Sequence, residues 1–162
     1  MPVSPIPPGY HTVTPYLIVR GAAAALEFYK KAFGAEELLR IGGPDGRVGH
    51  AEIKIGNSHI MLADEMPEMG AKGPQTLGGS PVGLCLYVED VDARYDRAVK
   101  AGATVVRPVV DQFYGDRSGC LADPFGHNWT IATHKEDIEP AEVQRRASEW
   151  MSKQGGKGHG DK

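Results

Sequence analysis

PYLIVRGAAAALEFYKKAFGAEELLR, residues 15–40, and LCLYVEDVDARYDRAVKAGATVVR, residues 84–107, are two copies of one pattern about 69 residues apart. Each copy opens with an apolar strand ending in Val19 or Val88. A helical stretch follows, stops at Gly34 or Gly102, and leads into a new strand. A repeat of this length is a doubled supersecondary unit, and each unit needs its neighbour to bury its apolar face.

Working outward from the first copy, Ala22, Ala25, Leu26, Tyr29 and Phe33 recur at helical spacing, and Gly34 stands where a helix-ending glycine belongs. Strands are predicted at about 13–20, 35–42, 47–55 and 59–64. Pro15 assigns the first to a sheet edge or a bulge, because proline cannot donate to a ladder. The intervening turns are Gly-Gly-Pro-Asp-Gly at 42–46 and Gly-Asn-Ser at 56–58. From the second copy the same reading gives a strand at 82–88, a helix at 91–101 capped by Asp90, and strands at 104–110, 115–122 and 127–133. Glu139-Pro140 opens a further helix with an apolar stripe of Val143, Ala147, Trp150 and Met151.

The predicted fold class is α+β: two βαβββ modules curled around a cleft. The divisions are an extended Pro-rich arm at 1–11, a first module at 12–65 and a Gly/Pro-rich linker or flap at 66–81. A second module follows at 82–134, then a C-terminal helix at 135–154 and a disordered tail at 155–162.

Composition narrows the function. Of 162 residues, 41% are hydrophobic and 24% charged, as in ordinary globular chains. A net charge of only −3 gives no electrostatic case for nucleic acid or an anionic membrane. No apolar run could span a bilayer, and MPVSPIPPGY lacks the basic start and apolar core of a signal peptide, so a cytoplasmic location is expected. Cys85 and Cys120 are isolated and read as small buried hydrophobes. Phosphate-cradling glycine loops and nucleophile elbows are absent from the sequence.

Strand alternation assigns faces. Ala51, Ile53 and Ile55 should pack under a helix, which turns His50, Glu52 and Lys54 the other way. Tyr16, His59, Met61, Cys85, Tyr87 and Thr130 fall on the corresponding faces of their strands. The resulting cleft is small, aromatic and weakly polar, in the manner of small-molecule sites. His50 and Glu52 are either a ligand or acid/base pair or a solvated strand face. Arg117 either anchors an anionic or carbonyl oxygen or pairs internally with Asp116 or Asp123. Tyr114 and Trp129 could stack on a planar ligand, with core packing the alternative for Trp129.

With the repeat and ADPFGHNWTIATH (122–134) in view, the chain resembles the vicinal oxygen chelate superfamily of glyoxalases, bleomycin-resistance proteins and extradiol dioxygenases. The resemblance is greatest to its PhnB-like branch, through Pro15–Val19, His50–Gly56, Gly115–Gly119 and Asp123–Trp129. It covers about residues 12–135. It implies a homodimer with clefts at or near the interface and, in metal-dependent members, ligands on the first and last strand of each module. Those positions here hold Thr14, Met61, Gly83 and Thr130, none suited to a divalent transition metal.

The expected function is therefore metal-free small-molecule binding, with no cofactor and with Tyr16, His50, Cys85, Tyr114 and Arg117 as ligand-binding candidates. His50 and Glu52 are the only candidates for a catalytic role. The alternatives are a metal-dependent lyase, isomerase or dioxygenase with ligands moved to His50, Glu52, His59 or Glu65, and a regulatory or interaction module using the C-terminal helix.

Overall fold

The computed structural model describes residues 3–155. The first module contains β1 (Tyr16–Val19), α1 (Ala22–Phe33), β2 (Glu36–Gly42), β3 (Val48–Ile55) and β4 (Ser58–Asp64). The second contains β5 (Gly83–Tyr87), α3 (Val91–Ala101), β6 (Thr104–Asp111), β7 (Asp116–Ala122) and β8 (Asn128–His134). Each forms its own open four-stranded mixed sheet, in the order β1-β4-β3-β2 and β5-β8-β7-β6. The first strand pairs in parallel with the last, and the other ladders are antiparallel. The fold is α+β and doubled, and β1, which begins just after Pro15, and β5 are edge strands.

Local chemistry explains the helices. Ala22, Ala25, Leu26, Tyr29 and Phe33 put α1's apolar stripe into the core, and Gly34 ends the helix at φ 68°, a left-handed conformation that favours glycine. The Asp90 side chain accepts the Ala93 N–H at 3.0 Å and starts α3. The helices pack on each other across the two modules, and the Arg97 guanidinium donates to the carbonyls of Lys30 and Lys31 at the end of α1. Residues of both modules thus form one core, with Tyr29, Leu26, Ile53, Leu62, Leu121 and Ile131 fully enclosed.

The Asp-Pro-Phe-Gly-His-Asn-Trp run is a hub of this core. Buried Asp123 accepts hydrogen bonds from Phe125 N–H (2.9 Å), His127 N–H (3.0 Å), Trp129 Nε1 (2.9 Å) and Tyr29 Oη (2.7 Å). The last bond ties α1 to the second module. His127, at the end of this turn, is buried, with Nε2 3.2 Å from the Ile18 carbonyl of β1.

The linker at 66–81 is not featureless. Met66 and Ala71 form a bridge around a single 3-10 turn at Pro67–Met69, and a short helix, α2 (Pro74–Leu77), follows with Pro74 buried. The C-terminal helix α4 (Pro140–Gly155) is reached through a segment pinned to the β6–β7 turn, where Lys135 and Glu136 donate to the Gly115 carbonyl. The tail expected at 155–162 lies, beyond Gly155, outside the described residues.

Candidate functional site

The helices cover one face of each sheet, and the other face is open. On β3, Ala51, Ile53 and Ile55 are buried under α1 while His50, Glu52 and Lys54 alternate onto the open face. The ladder register places Tyr16, Met61, Glu52 and Leu39 in one row across the sheet, with Ile41 beside His50. Ile41 is 54% exposed and Tyr16 47%, so this face carries accessible apolar surface around a polar centre.

Glu52 is that centre. Its carboxylate accepts from the Tyr10 hydroxyl and lies 3.1 Å from His50 Nε2, while His50 Nδ1 is 2.8 Å from the Tyr16 hydroxyl. The Tyr10 ring stacks on His59, centroids 4.1 Å apart at 28°. The Tyr10 and His50 hydrogen bonds hold the Glu52 carboxyl below the usual carboxylate range. Burial, and then Glu52, push the Tyr10 phenol up to about 12. Burial and the Glu52 charge also raise Tyr16.

The second module builds a different carboxylate cluster. Buried Asp116 accepts from the Tyr87 hydroxyl at 2.8 Å and lies 2.7 Å from His134 Nδ1, whose Nε2 is 2.9 Å from Asp137. Hydrogen bonds to Asp116 and Asp137 raise the His134 pKa, and the bond to Asp116 lifts Tyr87 to about 12. Tyr114 stands alongside, its hydroxyl 3.5 Å from Ser118 Oγ. Burial and then the Asp116 charge raise the Cys85 thiol, which is the opposite of nucleophile activation.

Two cavities open along the seam between β1 and β5. One, of 170 Å³, is lined by His11, Thr14, His59, Leu84, Cys85 and Trp129. The other, of 250 Å³, runs under the linker past Tyr16, Ile18, Leu77, Val82 and His127.

The structure brings Tyr16 and His50 together with Glu52, and sets Cys85 and Tyr114 on the second module's open face. Arg117 is elsewhere. One residue on from Asp116 in a strand, it points to the helix side, where Nε and Nη2 bind Asp92 of α3 at 2.8 Å each and Nη1 binds Asp111 at 3.2 Å. It joins neither the cleft nor the expected partners Asp116 and Asp123. Trp129 is core, 4.6 Å from Phe33 by ring centroids, and only its cavity-facing edge touches a pocket. Tyr10 had no sequence signal, because an arm outside the ladders has no face to read. Nothing in the sequence joins Tyr87, Asp116 and His134, which lie on separate strands.

The residues do not fit a bound divalent metal. Thr14, Met61, Gly83 and Thr130 offer at most weak donors, and among the described residues no three His, Cys, Asp or Glu side chains converge into a coordination site. No helix among the described residues is long and apolar enough to cross a membrane.

Two repeated βαβββ modules, each with one helix-covered and one open sheet face, are the architecture of the Glyoxalase/Bleomycin resistance protein/Dioxygenase superfamily. The sequence model of that superfamily matches residues 10–131, and the chain belongs to it. Over 139 residues the chain is 47% identical to the uncharacterized protein Rv0887c of Mycobacterium tuberculosis, covering 84% of this chain and 82% of that protein. Among solved structures it resembles TioX from Micromonospora sp. ML1, with a TM-score of 0.61 and 25% identity over 76% of this chain and 98% of that one. It also shares its fold with a PhnB protein from Bacillus cereus, with a TM-score of 0.60 and 18% identity over 76% and 99%.

Proposed function

We propose that the protein binds a small organic molecule on its open sheet faces, without a resident metal, as a PhnB-like member of its superfamily in the cytoplasm. The observation that carries this reading is the Glu52 cluster. A polar centre of a carboxylate, two tyrosines and an imidazole sits on an apolar, accessible face beside a preformed cavity. Convergent polar groups in a mostly apolar concavity are the usual makeup of a ligand site. We further propose a homodimer. Ile41, Tyr87 (60% exposed) and Val110 lie on the open faces, and a second copy covering them is the common way such surfaces are removed from water.

Ligand-observed NMR against a panel of small aromatic and carbonyl compounds tests the binding. Compounds that bind the wild type should lose their signal with Cys85→Trp, which fills the cavity from an accessible position. A panel with no binders, or binders indifferent to Cys85→Trp, overturns the reading.

A further inference from the structure

We propose that Tyr10 is a tethered occupant of a ligand subsite, one that takes an aromatic ring carrying an O–H or N–H donor, and that ligand entry displaces the N-terminal arm. The proposal rests on the small-molecule reading above and names the chemistry of its ligand.

The arm before β1 belongs to no sheet. Val3 to Gly9 are exposed, and Tyr10 N–H closes only a local turn onto the Pro7 carbonyl at 3.1 Å. Its anchor is the Tyr10 side chain, and both of that side chain's contacts are recognition contacts. The hydroxyl donates to Glu52, and the ring lies on the His59 imidazole. Gly9, at φ 83°, presses against the same imidazole, so closely that an added Cβ would lie 2.9 Å from His59 Cε1. The arm is thus seated by shape as well as by one hydrogen bond.

The groups beneath Tyr10 are poorly served by the rest of the fold. Among the described residues no arginine or lysine is bonded to Glu52; its partners are the Tyr10 phenol and the His50 ring. His59 Nδ1 is buried and has no hydrogen-bond partner among the described residues. Lifting Tyr10 would expose a flat imidazole face, an unfilled carboxylate acceptor and a free ring nitrogen within one ring's span. A planar ring bearing a donor satisfies the first two together, by stacking and by a charge-assisted hydrogen bond.

The arm also roofs the neighbouring cavity. His11 and Val13 line the 170 Å³ space, and His59 is its shared wall. Displacement would join the subsite to walls of Leu84, Cys85 and Trp129, so the subsite suits an aromatic donor with an apolar extension. Pro5, Pro7 and Pro8 fix φ along the arm, which bends at Pro5–Ile6 and turns at Pro8–Gly9 to bring Tyr10 down onto Glu52.

A tethered group competes at an effective concentration of roughly millimolar, and a site it fills shows an apparent affinity reduced by the open fraction. The probe is p-cresol, the tyrosine side chain without its backbone. In the full-length chain, Tyr10→Ala should bind p-cresol at least about 10-fold more tightly than wild type, with circular dichroism showing the fold retained. Adding Glu52→Gln to Tyr10→Ala should abolish that gain. Equal affinity in wild type and Tyr10→Ala, or a gain that survives Glu52→Gln, overturns the proposal. If p-cresol fails while panel compounds still bind in a manner sensitive to Cys85→Trp, the arm proposal alone falls. If neither binds, the small-molecule reading falls with it.

Discussion

Asp123→Asn should destabilise the whole chain far more than its conservative size suggests. Oδ1 accepts two backbone N–H groups, and an asparagine oxygen can keep both. Oδ2 accepts Tyr29 Oη at 2.7 Å and Trp129 Nε1 at 2.9 Å, and an amide nitrogen there is a donor. The Tyr29 hydroxyl can rotate to accept. The indole N–H cannot, and a buried unsatisfied donor costs about 1–3 kcal/mol. Converting the remaining charge-assisted bonds to neutral ones costs about another 1–2 kcal/mol in sum, after some relief from no longer burying a charge. The total is about 2–5 kcal/mol. For a chain of this size that lowers Tm by roughly 4–20 °C. Urea unfolding of Asp123→Asn, Tyr29→Phe and the double variant provides the assay. The cycle should return a coupling of about 1 kcal/mol or more, because the Tyr29 bond joins the modules. Destabilisation below about 0.5 kcal/mol, typical of an ordinary surface substitution, would refute the hub.

Arg117→Ala should leave ligand affinity unchanged and barely move the urea unfolding midpoint, because its ion pairs with Asp92 and Asp111 are solvated. Gly115→Ala should cost about 2 kcal/mol or more: φ is 97°, and the new Cβ would lie 2.3 Å from the Glu136 carbonyl oxygen. Hydrogen exchange at the Lys135 and Glu136 amides, which bond Gly115, should accelerate together. His134 carries a pKa raised by Asp116 and Asp137, so its contribution is complete below the ordinary histidine value near 6.5 and is lost as pH rises through the raised value. Tm scanned upward from pH 6 should fall more steeply in wild type than in His134→Gln, and parallel curves would remove His134 from the account.

The doubled α+β fold was legible because its signals are local and repeated. Ala22 to Phe33 at helical spacing with Gly34 behind them gave α1, and Asp90 gave the start of α3. Alternation in 50–55 placed His50 and Glu52 on the open face, since a period of two leaves one choice once Ile53 is buried. Arg117 obeys the same alternation: Asp116 and Ser118 are buried on the open-face side of β7, so their intervening neighbour faces α3. Tyr10 was out of reach. Its place is set by tertiary contacts to Glu52 and His59, more than forty positions away, and an irregular arm carries no periodicity to read. The linker shows the same limit: Gly and Pro content marks turns, while Pro74's burial depends on what packs over it.

The most direct test of the account is amide and side-chain chemical-shift mapping of wild-type protein titrated with a compound that binds it. The account predicts perturbations gathered on Tyr10, Tyr16, His50, Glu52, His59 and Cys85, on the open faces of the two sheets. Perturbations confined to α3, α4 or the Arg117–Asp92 surface, with the Glu52 and His59 signals unmoved, would contradict it.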